Sequence, residues 1–233
     1  MHRRIVVTAV VRLPIKHRVS LADCSWYSRR SSGMGSMGLV YRSALVYRMA
    51  MRLLEGREGV ERRRRIASAV PSGSEVVDLC CGDAALARPL RRRGCRYIGL
   101  DVNPAFVRSA RRRGIDARYW EAESMEVPAA DVICLLSSLY QFIPREKQLF
   151  DRMVEKAGTL VVLSEPIRNW SSSNSRLLRR LSLALTRVNG HTFEERHNER
   201  SLRALVDGLP AESVDFAVGG RDVVIFVWTK RLR

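Results

Sequence analysis

Residues 76–84 read Val-Val-Asp-Leu-Cys-Cys-Gly-Asp-Ala. An apolar run ends on an acid, two adjacent cysteines follow, and then a glycine and a second acid. Two chemistries compete for this stretch. It is a thiol or metal site, or it is the turn after a strand where a nucleoside-type ligand meets the backbone. Metal sites space their cysteines in pairs such as C-x-x-C, and the chain has no such pair. Its five cysteines, Cys24, Cys80, Cys81, Cys95 and Cys134, are odd in number and scattered, which is no disulfide framework and suits a reducing cytoplasm.

Outward from this stretch the chain alternates. Glu75–Cys80, Tyr97–Leu100, Ile115–Trp120, Asp131–Leu136 and Thr159–Leu163 read as strands. Helical patterns at 84–93, 104–113 and 145–156 separate them. Strands that alternate with helices predict a parallel sheet covered on both faces. The triplets Arg91–Arg93 and Arg111–Arg113 each precede a glycine, Gly94 and Gly114. They read as helix ends, where glycine takes the left-handed position and arginine opposes the negative end of the helix dipole. Ser201–Val206 reads as a helix. Glu212–Val218 and Asp222–Thr229, joined through Gly219-Gly220, read as a closing β-hairpin.

The chain carries 41 basic and 24 acidic residues, a net of +17, and 37 of the basic residues are arginine. Residues 1–70 hold +11, residues 71–165 only +1 and residues 166–233 the remaining +5. The charge is therefore peripheral to the segment that carries the motifs. That disfavours a polyanion threaded through the site and leaves RNA or an anionic membrane as partners of the periphery. No apolar run is long enough for a transmembrane helix. Residues 1–37, arginine- and serine-rich with Asp23 their single acid, are expected to be a disordered basic extension. Arg12 interrupts the apolar stretch 5–11, which is poor for a secretory signal. Residues 38–70 are expected to form a helical lid, with Leu45, Met49 and Leu53 at helical spacing. Residues 71–165 would be the ligand-binding core, and residues 166–233 the substrate-side helices and hairpin. Arg176–Val188 has the pattern of a basic amphipathic helix.

Ligands of an open α/β sheet bind at the carboxyl ends of the strands. There the chain offers Asp78, Asp101 in YIGLDVN, Glu121-Ala122-Glu123, the run LLSSLYQF at 135–142, and Ser164-Glu165-Pro166. Asp101 follows Asp78 by 23 residues and suits a ribose diol. A dinucleotide calls for G-x-G-x-x-G so that its pyrophosphate meets a helix N-terminus. Here Gly82 is the single glycine of the turn and acids flank it, which suits a cofactor with an ammonium group and a sulfonium.

With these motifs in order, residues 41–233 resemble the class I S-adenosylmethionine-dependent methyltransferases. VVDLCCGDA resembles their first motif, YIGLDVN their second, and WEAESMEVPAADVICL the third motif leading into the fourth strand. The resemblance implies an α/β fold with a seven-stranded, mostly parallel, doubly wound sheet and an antiparallel C-terminal hairpin. It also implies an enzyme using S-adenosyl-L-methionine. Asp78 would contact the amino-acid part of the cofactor, Gly82 would give close backbone approach, and Asp101 would bind the ribose. Ala122 and Glu123 would lie at the adenine edge, and Leu135 and Ser137 on the methionine side. Cys80 and Val102 stand inside the two motifs and complete the set, with Tyr47 and Arg48 closing over it. Cys80 and Ala84 depart from the family pattern, which has glycines there.

The acceptor is expected to be a small molecule. The D/N-P-P-Y/F motif of base amino-methylation is replaced by SSLYQF, and the chain has no Pro-Cys pair for attack on a base carbon. Tyr140, Arg168, Asn169 and Arg196 are the candidate acceptor-binding residues, with Glu194 and His197 nearby in sequence. His191 and Glu165 are the candidates for a general base. Two alternatives stand beside this reading: an RNA or tRNA methyltransferase using the basic periphery, and a noncatalytic membrane-surface or partner-binding protein on the same fold.

Overall fold

The computed structural model describes residues 44–167, 196–219 and 222–229. Its elements run α1 (Ala44–Ala69), β1 (Glu75–Leu79), α2 (Ala87–Arg91), β2 (Arg96–Asp101), α3 (Pro104–Arg111), β3 (Ala117–Tyr119), β4 (Ala130–Leu136), α4 (Glu146–Lys156), β5 (Ala157–Pro166), α5 (Glu199–Val206), β6 (Ser213–Gly219) and β7 (Asp222–Trp228). Short 3-10 turns at Ala122–Ser124 and Leu139–Phe142 follow β3 and β4. The seven strands lie in the order β3-β2-β1-β4-β5-β7-β6. β1 to β5 pair in parallel, and β7 runs antiparallel against both β5 and β6. The chain winds from β1 outward to β3, then crosses back to β4 beside β1. The switch point is therefore between β1 and β4.

Strand alternation sorts side chains onto the two faces. Val77 and Leu79 of β1, Ile133 and Leu135 of β4 and Leu163 of β5 pack with Leu149, Phe150 and Met153 of α4 and Leu202 of α5. Val76 of β1, Tyr97 of β2 and Val132 and Cys134 of β4 face the other way, onto Ile66 of α1, Leu90 of α2 and Val107 and Ala110 of α3. Both arginine triplets terminate helices as expected. Gly94 (φ 74°) and Gly114 (φ 70°) are left-handed, and the N–H groups of Cys95 and Ile115 close the ends onto Leu90 and Ala110 carbonyls.

α1 is two helices joined at a kink, where Gly56 has φ 52° and ψ −140°, a conformation open to glycine. The helical spacing of Leu45 and Met49 does not mark a buried face: they are 56% and 57% exposed. Tyr47 and Met51, on the other side of the helix, point to the sheet instead. The Tyr47 ring sits 4.7 Å from that of Phe106 on α3. The kink lets Glu55 fold back onto Arg62 (2.7 Å) and Arg63, and Arg62 also reaches Asp222 of β7 at 3.1 Å. All of Arg62, Glu55 and Asp222 are less than a tenth exposed at the side chain. The expectations for residues 1–37 and for a helix at Arg176–Val188 lie outside the described residues.

Candidate functional site

A cavity of about 920 Å³ opens over the carboxyl ends of β1, β2 and β4, beneath α1. Asp78, Cys80, Gly82, Asp101, Val102 and Ser137 line it, and Tyr47 and Arg48 line it from the α1 side. All eight come from three segments far apart in sequence that the sheet brings to one edge, or from the helix above it. The reason is register. Asp78 pairs across β1–β2 with Gly99 and across β1–β4 with Cys134, so Asp78, Gly99, Asp101 and Cys134 share the α1 face.

The turn after β1 is bound to the end of β2. The Gly82 N–H donates to Asp101 Oδ2 and the Asn103 N–H to Asp101 Oδ1, each at 2.8 Å. Cys80, Gly82 and Ala84 have φ of 53°, 54° and 53°. All three alternate positions of the turn are thus left-handed, although only one is glycine. A Cβ on Gly82 would lie 3.5 Å from the Tyr47 ring, so the loop and the helix meet there. Asn103 caps α3 by accepting the Ala105 N–H at 2.9 Å.

Electrostatically the floor is acidic and dry. Burial pushes Asp78 up to about 7; the Tyr97 hydroxyl pulls it down, while Asp101 and Asp83 raise it further. Burial likewise pushes Asp101 up to about 6 against the pull of its two backbone N–H donors. The Cys80 and Cys81 thiols are driven well above their ordinary range by burial and by the neighbouring acids. Raised thiol pKa values argue against the thiol reading of the opening stretch, and among the described residues no cluster of His, Cys, Asp and Glu could hold a metal ion. Cys81 Sγ fills space beside Gly99, where a Cβ would come within 2.8 Å of it.

Several expected site residues lie elsewhere. Leu135 is fully buried in the core on the α4 face, and its neighbour Leu136 lines the cavity. The period of two along β4 turns odd positions away from Asp78. Glu165 is turned away for the same reason on β5. Its Oε1 accepts the Leu139 N–H at 2.5 Å, and burial pushes it up to about 8. Tyr140 is buried beside the cavity, with the Arg196 guanidinium 3.7 Å above its ring. Ala122 packs against the core. His197 is buried, with Nδ1 3.3 Å from Ser201 Oγ. Arg168, Asn169, His191 and Glu194, and the side chain of Glu123, fall outside the described residues. Tyr97 and Gly99, which hold Asp78 and Cys81 in place, escaped the sequence reading although both stand in YIGLDVN. The two-residue step from Tyr97 to Gly99 to Asp101, all on one strand face, was the signal available.

Residues 76–157 match a family model described as a methyltransferase domain. The chain is similar to a carboxy-S-adenosyl-L-methionine synthase of Ectopseudomonas mendocina, 33% identical over 132 residues, which span 50% of this chain and 53% of that protein. It is also similar to a demethylmenaquinone methyltransferase of Thermus thermophilus, 31% identical over 118 residues, 45% of this chain and 54% of that one. The chain thus spans about half the length of these relatives. Among solved structures, human N-acetylserotonin methyltransferase in complex with SAM superposes with a TM-score of 0.57 at 19% identity, covering 82% of this chain and 58% of that one. Magnesium protoporphyrin IX methyltransferase from Synechocystis PCC 6803, with bound SAH, gives 0.55 at 14% identity over 87% and 93%. The motif order, the strand order β3-β2-β1-β4-β5-β7-β6 and the domain match agree: residues 76–157 match a methyltransferase domain, and the chain has the fold of the class I S-adenosylmethionine-dependent methyltransferases.

Proposed function

We propose that the protein transfers a methyl group from S-adenosylmethionine to a small-molecule acceptor. One observation carries this reading: Asp78 and Asp101, both buried, stand on either side of the left-handed Gly82 turn in the wall of one cavity. The donor set fits the cofactor. Two carboxyls can receive an ammonium group and hydroxyl donors, the turn has no side chain at Gly82, and acids at both ends of the turn favour a cationic sulfur and oppose a phosphate. When bound, S-adenosylmethionine would supply a methyl on a positive sulfur, open to bond formation between an acceptor lone pair and the methyl carbon as the C–S electron pair stays on sulfur.

In this reading Asp78 holds the amino-acid end and Asp101 the ribose hydroxyls. Val102 and Cys80 shape the walls, Ser137 borders the methionine side, and Ala122 and Glu123 serve the adenine edge. Tyr47 and Arg48 cover the site and exclude water. Tyr140 and Arg196, with Arg168 and Asn169, would face the acceptor, and His191 would take a proton where the acceptor loses one. The chain's main contribution is then alignment of the acceptor and the methyl in a dry site. Calorimetry with S-adenosylhomocysteine at neutral pH tests the reading; a folded protein that takes up none of it defeats the proposal.

The cavity wall also carries Arg48, Arg52, Arg64, Arg88 and Arg92, which favours an RNA acceptor as a second reading. RNA retention that falls steeply with salt, on top of cofactor binding, would select it.

A further inference from the structure

Tyr97 is buried on β2 and its hydroxyl donates to Asp78 Oδ2 at 2.6 Å. Strand register does not pair these residues: Asp78 lies opposite Gly99, and Tyr97 lies opposite Val76. To reach Asp78 the phenol must lean along the strand across Gly99. Gly99 makes that path open. A Cβ at this position would come within 3.2 Å of the Tyr97 ring and hydroxyl and 2.8 Å of Cys81 Sγ. The three residues are one device, in which a missing side chain lets a tyrosine clamp an acid on the neighbouring strand.

The surroundings of Asp78 give that clamp its weight. Asp101 from β2 and Asp83 from the turn act on it as like charges. The thiols of Cys80 and Cys81 from the turn and Cys134 from β4 are near it and stay protonated. Among the described residues, the Tyr97 hydroxyl is the one side-chain donor to this carboxyl. Burial and the Asp78 charge hold the phenol itself well above its ordinary range, so it remains a donor.

We propose that Tyr97 is a positioning residue for the cofactor site: it fixes one oxygen of Asp78 and favours the ionised carboxylate that receives the ammonium group of S-adenosylmethionine. The inference rests on the reading of Asp78 as a cofactor ligand. It assigns to Tyr97 a role that acts through Asp78 and involves no contact with the cofactor.

The test compares wild type, Tyr97→Phe and Asp78→Asn by calorimetry with S-adenosylhomocysteine from pH 6 to pH 8.5. Phenylalanine keeps the ring against Gly99 and removes one hydroxyl. Each unit by which the Asp78 midpoint rises costs about tenfold in affinity below that midpoint and nothing well above it. The ratio of the wild-type to the Tyr97→Phe affinity cancels the ligand's own titration. It is expected to be near ten at pH 6 and to close toward one at pH 8.5. Asp78→Asn is expected to lose this pH dependence. Carbon-13 NMR of the aspartate carboxyls in the ligand-free protein is expected to show the Asp78 midpoint higher in Tyr97→Phe. An unmoved midpoint, or an affinity ratio that is the same at every pH, overturns the inference. Wild type that binds no S-adenosylhomocysteine while the NMR midpoint still moves overturns the cofactor reading instead.

Discussion

The Gly82 N–H donates to Asp101 Oδ2 at 2.8 Å and so ties the turn after β1 to the end of β2. One carboxylate thus organises the loop and stands in the cavity wall. Asp101→Ala removes the acceptor for two backbone N–H groups, at a cost of about 1–3 kcal/mol in stability. It also removes the proposed ribose ligand, and affinity for S-adenosylhomocysteine is expected to fall at least about tenfold, the worth of one charge-assisted hydrogen bond. Asp101→Asn keeps an acceptor oxygen, so it should recover more of the melting temperature than of the affinity. Affinity unchanged in both variants would refute the ribose assignment.

The cysteines of the opening stretch are predicted to matter through backbone shape. Cys80 holds φ 53°, which costs a residue with a Cβ roughly 1–2 kcal/mol. Cys80→Gly relieves that strain but frees the unfolded chain by about 0.4–1 kcal/mol and loses a half-buried sulfur. Its stability should stay within about 1 kcal/mol of wild type. Cys80→Val places a β-branched residue at the same φ and should lose about 2 kcal/mol. Urea melts separate the two; equal losses would mean that packing of the thiol dominates. Iodoacetamide at pH 8 should label neither Cys80 nor Cys81 in the folded protein, as read by mass spectrometry.

Arg62 ties the half of α1 after the kink to the sheet through Asp222 and to the half before it through Glu55. Arg62→Ala takes the cation from beside Asp222 and leaves Glu55 with Arg63 alone, at side chains that are nearly buried, which costs about 3–5 kcal/mol. The triple replacement Arg62→Met, Glu55→Gln, Asp222→Asn removes the charges together and should recover most of that loss. Thermal melts that show no recovery would place the value of the network in Arg62 packing alone.

Stability should also depend on pH through Asp78. Its folded pKa of about 7 exceeds the ordinary 3.8, so the native state binds this proton more tightly than the unfolded chain does. The native state therefore loses stability as pH rises across that window. Asp78→Asn carries no such proton and still offers an oxygen to Tyr97. Relative to wild type it should be neutral near pH 4 and more stable above pH 7, by on the order of 4 kcal/mol. Chemical melts at pH 4.5 and pH 8 whose difference does not diverge would show that Asp78 is solvated in the free protein.

Glu165 faces the α4 side of the sheet and accepts the Leu139 N–H, which assigns it to the turn after β4. Glu165→Gln keeps an acceptor and should retain methyl transfer, whereas Glu165→Ala should lose about 1–3 kcal/mol of stability through the stranded N–H. A Glu165→Gln variant that folds as wild type but is inactive, with the rate limb near pH 8 abolished, would restore the base role.

The alternation of strands and helices, the helix ends at Gly94 and Gly114 and the closing hairpin were all legible in the chain, because each is written in local periodicity or in a glycine at a helix terminus. The gathering of Asp78, Gly82 and Asp101 in one cavity wall was legible too, because the strand ends of a parallel sheet lie together at one edge. Leu135 and Glu165 were misplaced by one strand face. Sequence shows that a residue stands near a strand end, but its side is decided by the register against the neighbouring strands, here Asp78 against Cys134 and Leu163 against Leu135. The outward face of Leu45 and Met49 was hidden for a similar reason, since helical spacing reports a stripe and not what covers it.

In VVDLCCGDA, the order of residues alone showed an apolar strand that carries an acid near its end and runs into a turn of small residues. Only the tertiary structure decided that Cys80 and Ala84 adopt the left-handed conformations usual for glycine, and that Asp78 and Asp101 are buried beside the turn. It also decided that a tyrosine on the next strand holds Asp78. Local propensity disfavours a left-handed cysteine. The hydrogen bond from Gly82 to Asp101 and the packing of Cys81 on Gly99 impose that shape on the turn from outside.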